Sequence, residues 1–145
     1  MKIYRQIITA IFLLVCTTVS SQVPFSKAEI KGIMKQVADW QIKNPSTEHE
    51  HHDLDWTNGA LYVGMANWAG LAEQQDKDST YYQWLYKIGV RNGWQPYKRM
   101  YHADDIAVSQ SFIDLYRRYK KENMLIPTLA RAEWIVNHPS DGPFK

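Results

Sequence analysis

The chain has 145 residues, 45% of them hydrophobic and 22% charged, a composition typical of one globular domain and not of a disordered segment. Its 17 basic and 15 acidic side chains nearly balance, which excludes the strongly basic surface of a nucleic-acid-binding protein. Because there is a single cysteine, Cys16, a disulfide framework is excluded as well.

The first 21 residues have the pattern of a secretory signal peptide. Lys2 and Arg5 give a basic start, the apolar run 7–15 follows, and small residues lead to the expected cleavage site. That run is too short for a membrane span, so we expect a secreted or periplasmic protein without stable membrane insertion after cleavage. Cys16 fits the apolar part of the signal, and a lipid anchor is the less favoured alternative.

The rest of the chain, 22–145, predicts one all-α domain. Apolar residues recur at helical spacing in five stretches, and no stretch alternates like a strand. Short connections between the stretches favour antiparallel helical hairpins. The predicted helices begin near Ser26, Thr57, Ser79, Asp104 and Met124 and end near Asn44, Gln74, Asn92, Tyr119 and Asn137.

The second predicted helix is rich in small residues, among them Gly59, Gly64 and Gly70. A glycine inside a helix costs roughly 0.5–1 kcal/mol relative to alanine. Several together therefore indicate close packing against another helix, or a helix that lies near a ligand.

Two adjacent carboxylates open the fourth predicted helix. One aspartate is enough to cap a helix, and we assign the cap to Asp104. From Asp105, helical steps reach Val108, Phe112 and Tyr116, so a carboxylate heads a largely apolar stripe and needs another explanation. The simpler alternative is that both carboxylates only interact favourably with the helix dipole.

The segment before this helix concentrates groups suited to a binding site. A helix N-terminus attracts anions, and Lys98 or Arg99 fits a substrate carboxylate there. His102 fits proton transfer near neutral pH. The alternatives are solvated basic side chains and a histidine that is hydrogen-bonded to the backbone.

Six tryptophans are many for a chain of this length. Trp56 and Trp94 fall in loops or at helix starts, where a ring can stack on a sugar, and core packing is an equal alternative. The remaining tryptophans lie within predicted helices and are assigned to packing.

Three histidines and four carboxylates fall within residues 48–55. A metal carrier that uses His49, His51 and His52 is one interpretation. The segment is a predicted loop without two ligands on one helical face, so a solvated polar loop is favoured. We expect no metal site and no cofactor.

Taken together, residues 55–61 (DWTNGAL), residues 101–105 (YHADD) and Gln110 resemble the amino-terminal part of glycoside hydrolase families 88 and 105. These are the unsaturated glucuronyl and unsaturated rhamnogalacturonyl hydrolases. The resemblance implies an (α/α)6 barrel, a ring of six helical hairpins, of which this chain would supply about five helices. It also implies that the second and fourth helices are inner helices, with their N-termini around the sugar site.

The resemblance further implies hydrolysis of oligosaccharides that end in an unsaturated uronic acid. An aspartate protonates the C4=C5 double bond and helps water to add at C5. The first of the family's two aspartates matches Asp105, while the second lies beyond the fifth helix in a segment that this sequence does not contain. The candidate substrate-binding residues are Trp56, Asn58, Trp94, His102 and Asp104.

We therefore expect an N-terminal fragment of such a hydrolase that is inactive alone. Its helices would leave apolar faces without partners, and a complementing C-terminal fragment is a candidate partner. The alternative from another functional class is a secreted, non-catalytic helical module that binds sugars through Trp56 and Trp94.

Overall fold

The computed structural model describes residues 25–45 and 50–142, so the predicted signal peptide, 1–21, lies outside the described residues. The chain divides into two compact units at Gly32 and Ile33. The second unit carries the core and the candidate site.

The described part of the first unit contains the predicted capping box. The amide of Ser26 donates to Glu29 Oε2 at 2.7 Å, and the amide of Glu29 donates to Ser26 Oγ at 3.2 Å. Each side chain thereby satisfies a backbone donor of the other residue at the helix start.

The described residues are all-helical, as predicted, and contain no strand. No helix among them is long and apolar enough to cross a bilayer. In chain order they form α1 (Lys27–Lys43), α2 (Trp56–Asp76), α3 (Thr80–Arg91), α4 (Ala103–Ala107), α5 (Ser109–Tyr119), a 3-10 turn (Glu122–Met124) and α6 (Ile126–Asn137).

The fourth predicted helix is divided in the structure. Val108 separates α4 from α5, whereas the sequence predicts one continuous helix. The division lies at a close contact with α2, since a Cβ added at Gly59 would lie 3.2 Å from the backbone nitrogen of Val108. A larger residue at Gly59 would hold the helices apart, which confirms the close packing that the small residues of α2 predict.

The cap of α4 also differs from the prediction. His102 is the N-cap residue, without a side-chain hydrogen bond, and Asp104 lies in the first turn. The assignment of the cap to Asp104 was therefore wrong. The helix begins two residues earlier than expected, so Asp104 lies inside the first turn, where its negative charge interacts favourably with the helix dipole.

The core is formed where α2 packs against α3, α4 and α5. Aromatic side chains interlock there edge to face, as Trp94 does with Phe112 at a centroid distance of 5.4 Å. The large buried apolar side chains are Leu54, Tyr62, Met65, Trp68, Tyr81, Leu85, Ile88, Trp94, Phe112, Leu115 and Met124.

The two flanking helices present apolar residues to solvent. In α1 only Ala38 is buried, and in α6 no residue is. An open groove of about 320 Å³ runs between α1 and α2, with Val37 and Trp68 among its lining residues. The exposed apolar side chains of the two helices include Ile33, Met34, Val37, Trp40, Ile126, Leu129, Trp134 and Val136.

Candidate functional site

The loops that precede α2 and α4 meet at one end of the core. The ring of His52, before α2, stacks on the ring of Tyr97, before α4, at a centroid distance of 4.8 Å. Asp55, which caps α2, also acts electrostatically on Arg99 and helps to raise its pKa. The N-termini of α2 and α4 therefore lie together, as the resemblance implied for two inner helices.

Asp105 is a buried carboxylate whose oxygens are both occupied. Its side chain is 2% exposed. Oδ2 accepts a hydrogen bond from the Arg99 amide at 2.7 Å, and Oδ1 accepts two from the Arg99 guanidinium, at 3.1 Å from Nε and 2.5 Å from Nη2. Such charge-assisted, two-point contacts are among the strongest in proteins and fix the orientation of the carboxylate.

The hydrogen bonds from Arg99 hold the pKa of Asp105 below its ordinary value, even though burial opposes this shift. Asp105 is therefore ionised at neutral pH. A general acid needs a pKa near the working pH, so in this state Asp105 can accept a proton or a hydrogen bond but has no proton to donate.

The backbone of the Arg99 loop is fixed by a second arginine. Arg131, on α6, donates to the carbonyl of Tyr97 at 2.8 Å and to the carbonyl of Arg99 at 3.0 Å. The amide of Tyr97 in turn donates to the carbonyl of Asp105 at 2.7 Å. The last helix and the first turn of α4 thus hold the loop from two sides.

His102 lies beside both carboxylates. Its Nδ1 is 3.8 Å from an oxygen of Asp104 and 3.8 Å from Oδ1 of Asp105. This buried nitrogen has no hydrogen-bond partner among the described residues, so the backbone-bonded alternative is not what the structure contains. The carboxylate of Asp104 is half exposed. Both residues stay predictions as substrate-binding residues.

The two candidate sugar platforms differ sharply. Trp56, the first residue of α2, is 51% exposed and stays a candidate. Trp94 is 3% exposed, and its ring lies so close to Gly89 that an added Cβ there would be 2.1 Å from it. Neither face of the buried ring is open in this structure, which agrees with the core-packing alternative, and the predicted sugar contact of Trp94 stays untested.

Comparison with known proteins decides the family. A model of the family described as Glycosyl Hydrolase Family 88 matches residues 30–145. The chain belongs to glycosyl hydrolase family 88. The resemblance of residues 55–61 and 101–105 to that family is thereby confirmed.

Two similar proteins are called unsaturated 3S-rhamnoglycuronyl hydrolase. The one from Formosa agariphila is 33% identical over 93 residues, which cover 64% of this family 88 chain and 23% of the relative. The one from Alteromonas sp. (strain LOR) is 24% identical over 119 residues, which cover 75% of the chain and 28% of the relative. The chain thus spans about a quarter of the length of these relatives.

Asn58 has a structural role in this family 88 chain. It is buried, and its Nδ2 donates to the carbonyls of His51 at 3.2 Å and His52 at 2.9 Å. These bonds hold the loop that positions His52 against Tyr97. The predicted substrate contact of Asn58 stays a prediction.

The polar loop before α2 is tied to the protein by several of its side chains. His52 Nδ1 accepts from the amide of Leu54 at 3.1 Å, and Asp53 forms an ion pair with Arg91. His49 lies outside the described residues. Within 25–45 and 50–142, no three histidine, aspartate or glutamate side chains are grouped to hold a metal ion.

Sequence reasoning missed the two arginines that shape the site. Arg99 was considered for a substrate carboxylate but not as the partner of Asp105, although only six residues separate them. Arg131 lies 32 residues beyond the Arg99 carbonyl that it binds. No local pattern announces such a contact, because it depends on where α6 packs.

Proposed function

We propose that this chain forms part of a hydrolase that acts on oligosaccharides ending in an unsaturated uronic acid, of the rhamnoglycuronyl type. The observation that carries the proposal is the carboxylate-bearing segment 101–105 at the start of α4, beside the N-terminus of α2 and inside the region that matches family 88. The names of the two relatives support the substrate class.

The proposed reaction is hydration of the C4=C5 double bond. A general acid, which the resemblance assigns to an aspartate, donates a proton to C4. The oxygen of water bonds to C5, and one proton of that water passes to a base. The resulting hemiketal collapses, so the bond to the leaving sugar breaks. In the unliganded chain the hydrogen bonds from Arg99 keep the pKa of Asp105 low, and we assign Asp105 to one of the two proton transfers of this reaction.

We further propose that the chain is inactive by itself. The region matched in the relatives is about a quarter of their length. The apolar faces of α1 and α6 are exposed, which suits contact with further parts of a family 88 domain.

A chimeric enzyme tests the proposal. The part of the Formosa agariphila relative that corresponds to residues 30–145 is replaced by this chain, and turnover of an unsaturated rhamnoglycuronyl disaccharide is followed through the ultraviolet absorbance of its double bond. We expect turnover by the chimera, none by the isolated chain, and a loss of about 100-fold or more in the chimera with Asp105→Asn.

Two results would count against the proposal. Full activity of a folded Asp105→Asn chimera would remove Asp105 from the reaction. Turnover by the isolated chain that Asp105→Asn abolishes would refute inactivity but support the chemistry.

The non-catalytic sugar-binding alternative keeps only Trp56 as an exposed platform, and it predicts equal calorimetric affinities for saturated and unsaturated oligosaccharides.

A further inference from the structure

Arg99 lies between a buried carboxylate and solvent. Its side chain is 58% exposed, whereas that of its partner Asp105 is 2% exposed. A guanidinium carries five N–H donors. Only Nε and Nη2 bond to Asp105, and no other side chain in the described part of the protein accepts from this guanidinium. Arg99 therefore covers Asp105 and still presents free donors outward.

The side chain of Arg99 can move without its backbone. Arg131 binds two backbone carbonyls of the loop, those of Tyr97 and Arg99. These contacts do not involve the guanidinium of Arg99. The Arg99 amide, moreover, donates to Oδ2 of Asp105 independently of the side chain. If the guanidinium leaves, Oδ2 keeps its hydrogen bond and Oδ1 becomes accessible.

We propose that Arg99 exchanges between two anions, the carboxylate of Asp105 in the unliganded chain and the carboxylate of a bound uronate sugar. The inference rests on the proposed function. The planar guanidinium suits both partners, because it binds any carboxylate through two parallel hydrogen bonds. Arg99 then selects acidic sugars, and its departure opens Asp105 Oδ1 to the substrate.

The charges around Arg99 favour a sugar carboxylate that replaces Asp105 as its partner over one that binds in addition to Asp105. Arg99 is near the carboxylates of Asp55, Asp104 and Asp105, all of which help to raise its pKa. The facing basic groups are Arg131 and the neighbouring Lys98, whose ammonium lies over the Tyr97 ring. A fourth anion among three carboxylates is unfavourable unless one of them is neutralised, and Asp105 is the carboxylate whose pKa rises when it loses the guanidinium.

Exchange also couples sugar binding to a proton. The bond from Arg99 is the main cause of the low pKa of Asp105, so its loss raises that pKa. His102 faces the same oxygen, with its Nδ1 3.8 Å from Asp105 Oδ1. Binding of an acidic sugar should therefore be tighter at lower pH and should take up protons.

Isothermal titration calorimetry on the full chain tests this inference. The probes are an unsaturated uronic acid disaccharide and its neutral methyl ester, each titrated in two buffers of different ionisation enthalpy. We expect the acid, but not the ester, to bind with proton uptake. Arg99→Met should weaken the acid about tenfold and leave the ester unchanged, while Arg99→Lys should keep part of the affinity.

Arg118→Met is the matched control. Arg118 also holds a carboxylate with two guanidinium nitrogens, but its partner Glu73 lies near the opposite end of α2. This variant should bind both sugars as the unmodified chain does. Carbon-13 NMR of the Asp105 carboxyl adds a readout without sugar, in which Arg99→Met should raise the pKa of Asp105.

Three results would overturn the exchange. They are an unchanged Asp105 titration in Arg99→Met, equal loss of acid and ester affinity in that variant, and binding of the acid without proton uptake. Failure of the chain to bind either sugar would also count against it. The hydrolase proposal is judged separately by turnover of the chimera, so the two can fail independently.

Discussion

The packed helices α2, α3 and α5 and the flanking helices α1 and α6 carry the same kind of apolar periodicity, yet only the first group is covered. Leu115 on α5 is buried in the core, while Leu129 on α6 is exposed. Periodicity therefore determines which face of a helix is apolar, and neighbouring elements determine whether that face is buried. Matched substitutions in the two regions can test this contrast.

The largest expected effect separates two identical substitutions. Leu115→Ala should lower the free energy of unfolding by about 4 kcal/mol, because it removes buried methyl groups and leaves a cavity. Leu129→Ala, on an exposed side chain, should change it by no more than about 0.5 kcal/mol. Urea denaturation followed by circular dichroism measures both. Equal losses would mean that α6 is covered in solution.

Replacement of two helix glycines by alanine should change the free energy of unfolding in opposite directions. A Cβ at Gly89 would meet the Trp94 ring, so Gly89→Ala should destabilise the fold by about 3 kcal/mol through overpacking. Gly64 has no atom within 4 Å of its Cβ position, so Gly64→Ala should stabilise by about 0.5–1 kcal/mol through better helix propensity. Thermal unfolding of both variants checks the signs. A stable Gly89→Ala variant would show that Trp94 can leave the core.

The helices could be predicted from the sequence, whereas several contacts between them could not. Local signals predicted the helices, because the capping box at Ser26 and helical spacing act within a few residues. The division at Val108 depends on contact with Gly59, far away in the chain. Trp94 is likewise buried against Phe112 of α5, with the two rings edge to face. Such features are set by tertiary packing, which no local pattern encodes.

The charge pairs of the candidate site also depend on tertiary packing. That Asp105 needs a special explanation follows from its place at the head of an apolar stripe. That its partner is Arg99, and that Arg131 fixes the loop, requires the packed structure. Residue types could thus indicate a site without indicating how the charges within it are paired.

A smaller effect is expected from the buried ion pair. Asp105→Asn should cost about 2 kcal/mol at neutral pH, the typical value of hydrogen bonds to a charged group. The folded pKa of Asp105 is lowered, so its stabilisation is fully present above the unfolded pKa and is lost as pH falls through the folded pKa. The Asn variant should therefore lose less stability in acid.

Urea denaturation across a pH series measures this difference. The gap between the unmodified chain and Asp105→Asn should narrow below the ordinary pKa of 3.8 and close below the folded value. Asp53→Asn is the matched comparison, since Asp53 also has a lowered pKa and pairs with Arg91. Its stability difference from the unmodified chain should narrow in acid in the same way. A gap that stays constant with pH would mean that the charge of Asp105 does not stabilise the fold.

The smallest effect on folding, and the most direct test of the uncovered region, comes from α1. Val37 and Trp40 are both exposed, so Val37→Lys and Trp40→Lys should change the free energy of unfolding by no more than about 0.5 kcal/mol. Exposed apolar surface favours association, so sedimentation velocity should show the unmodified chain associating with rising concentration and the double variant staying monomeric. A charge on a solvent-exposed face disturbs assembly but not folding. We therefore expect the double variant to lose association in sedimentation while its free energy of unfolding is almost unchanged. A double variant that fails to fold would instead mean that this face of α1 is packed, and that the contrast between core and flank does not hold.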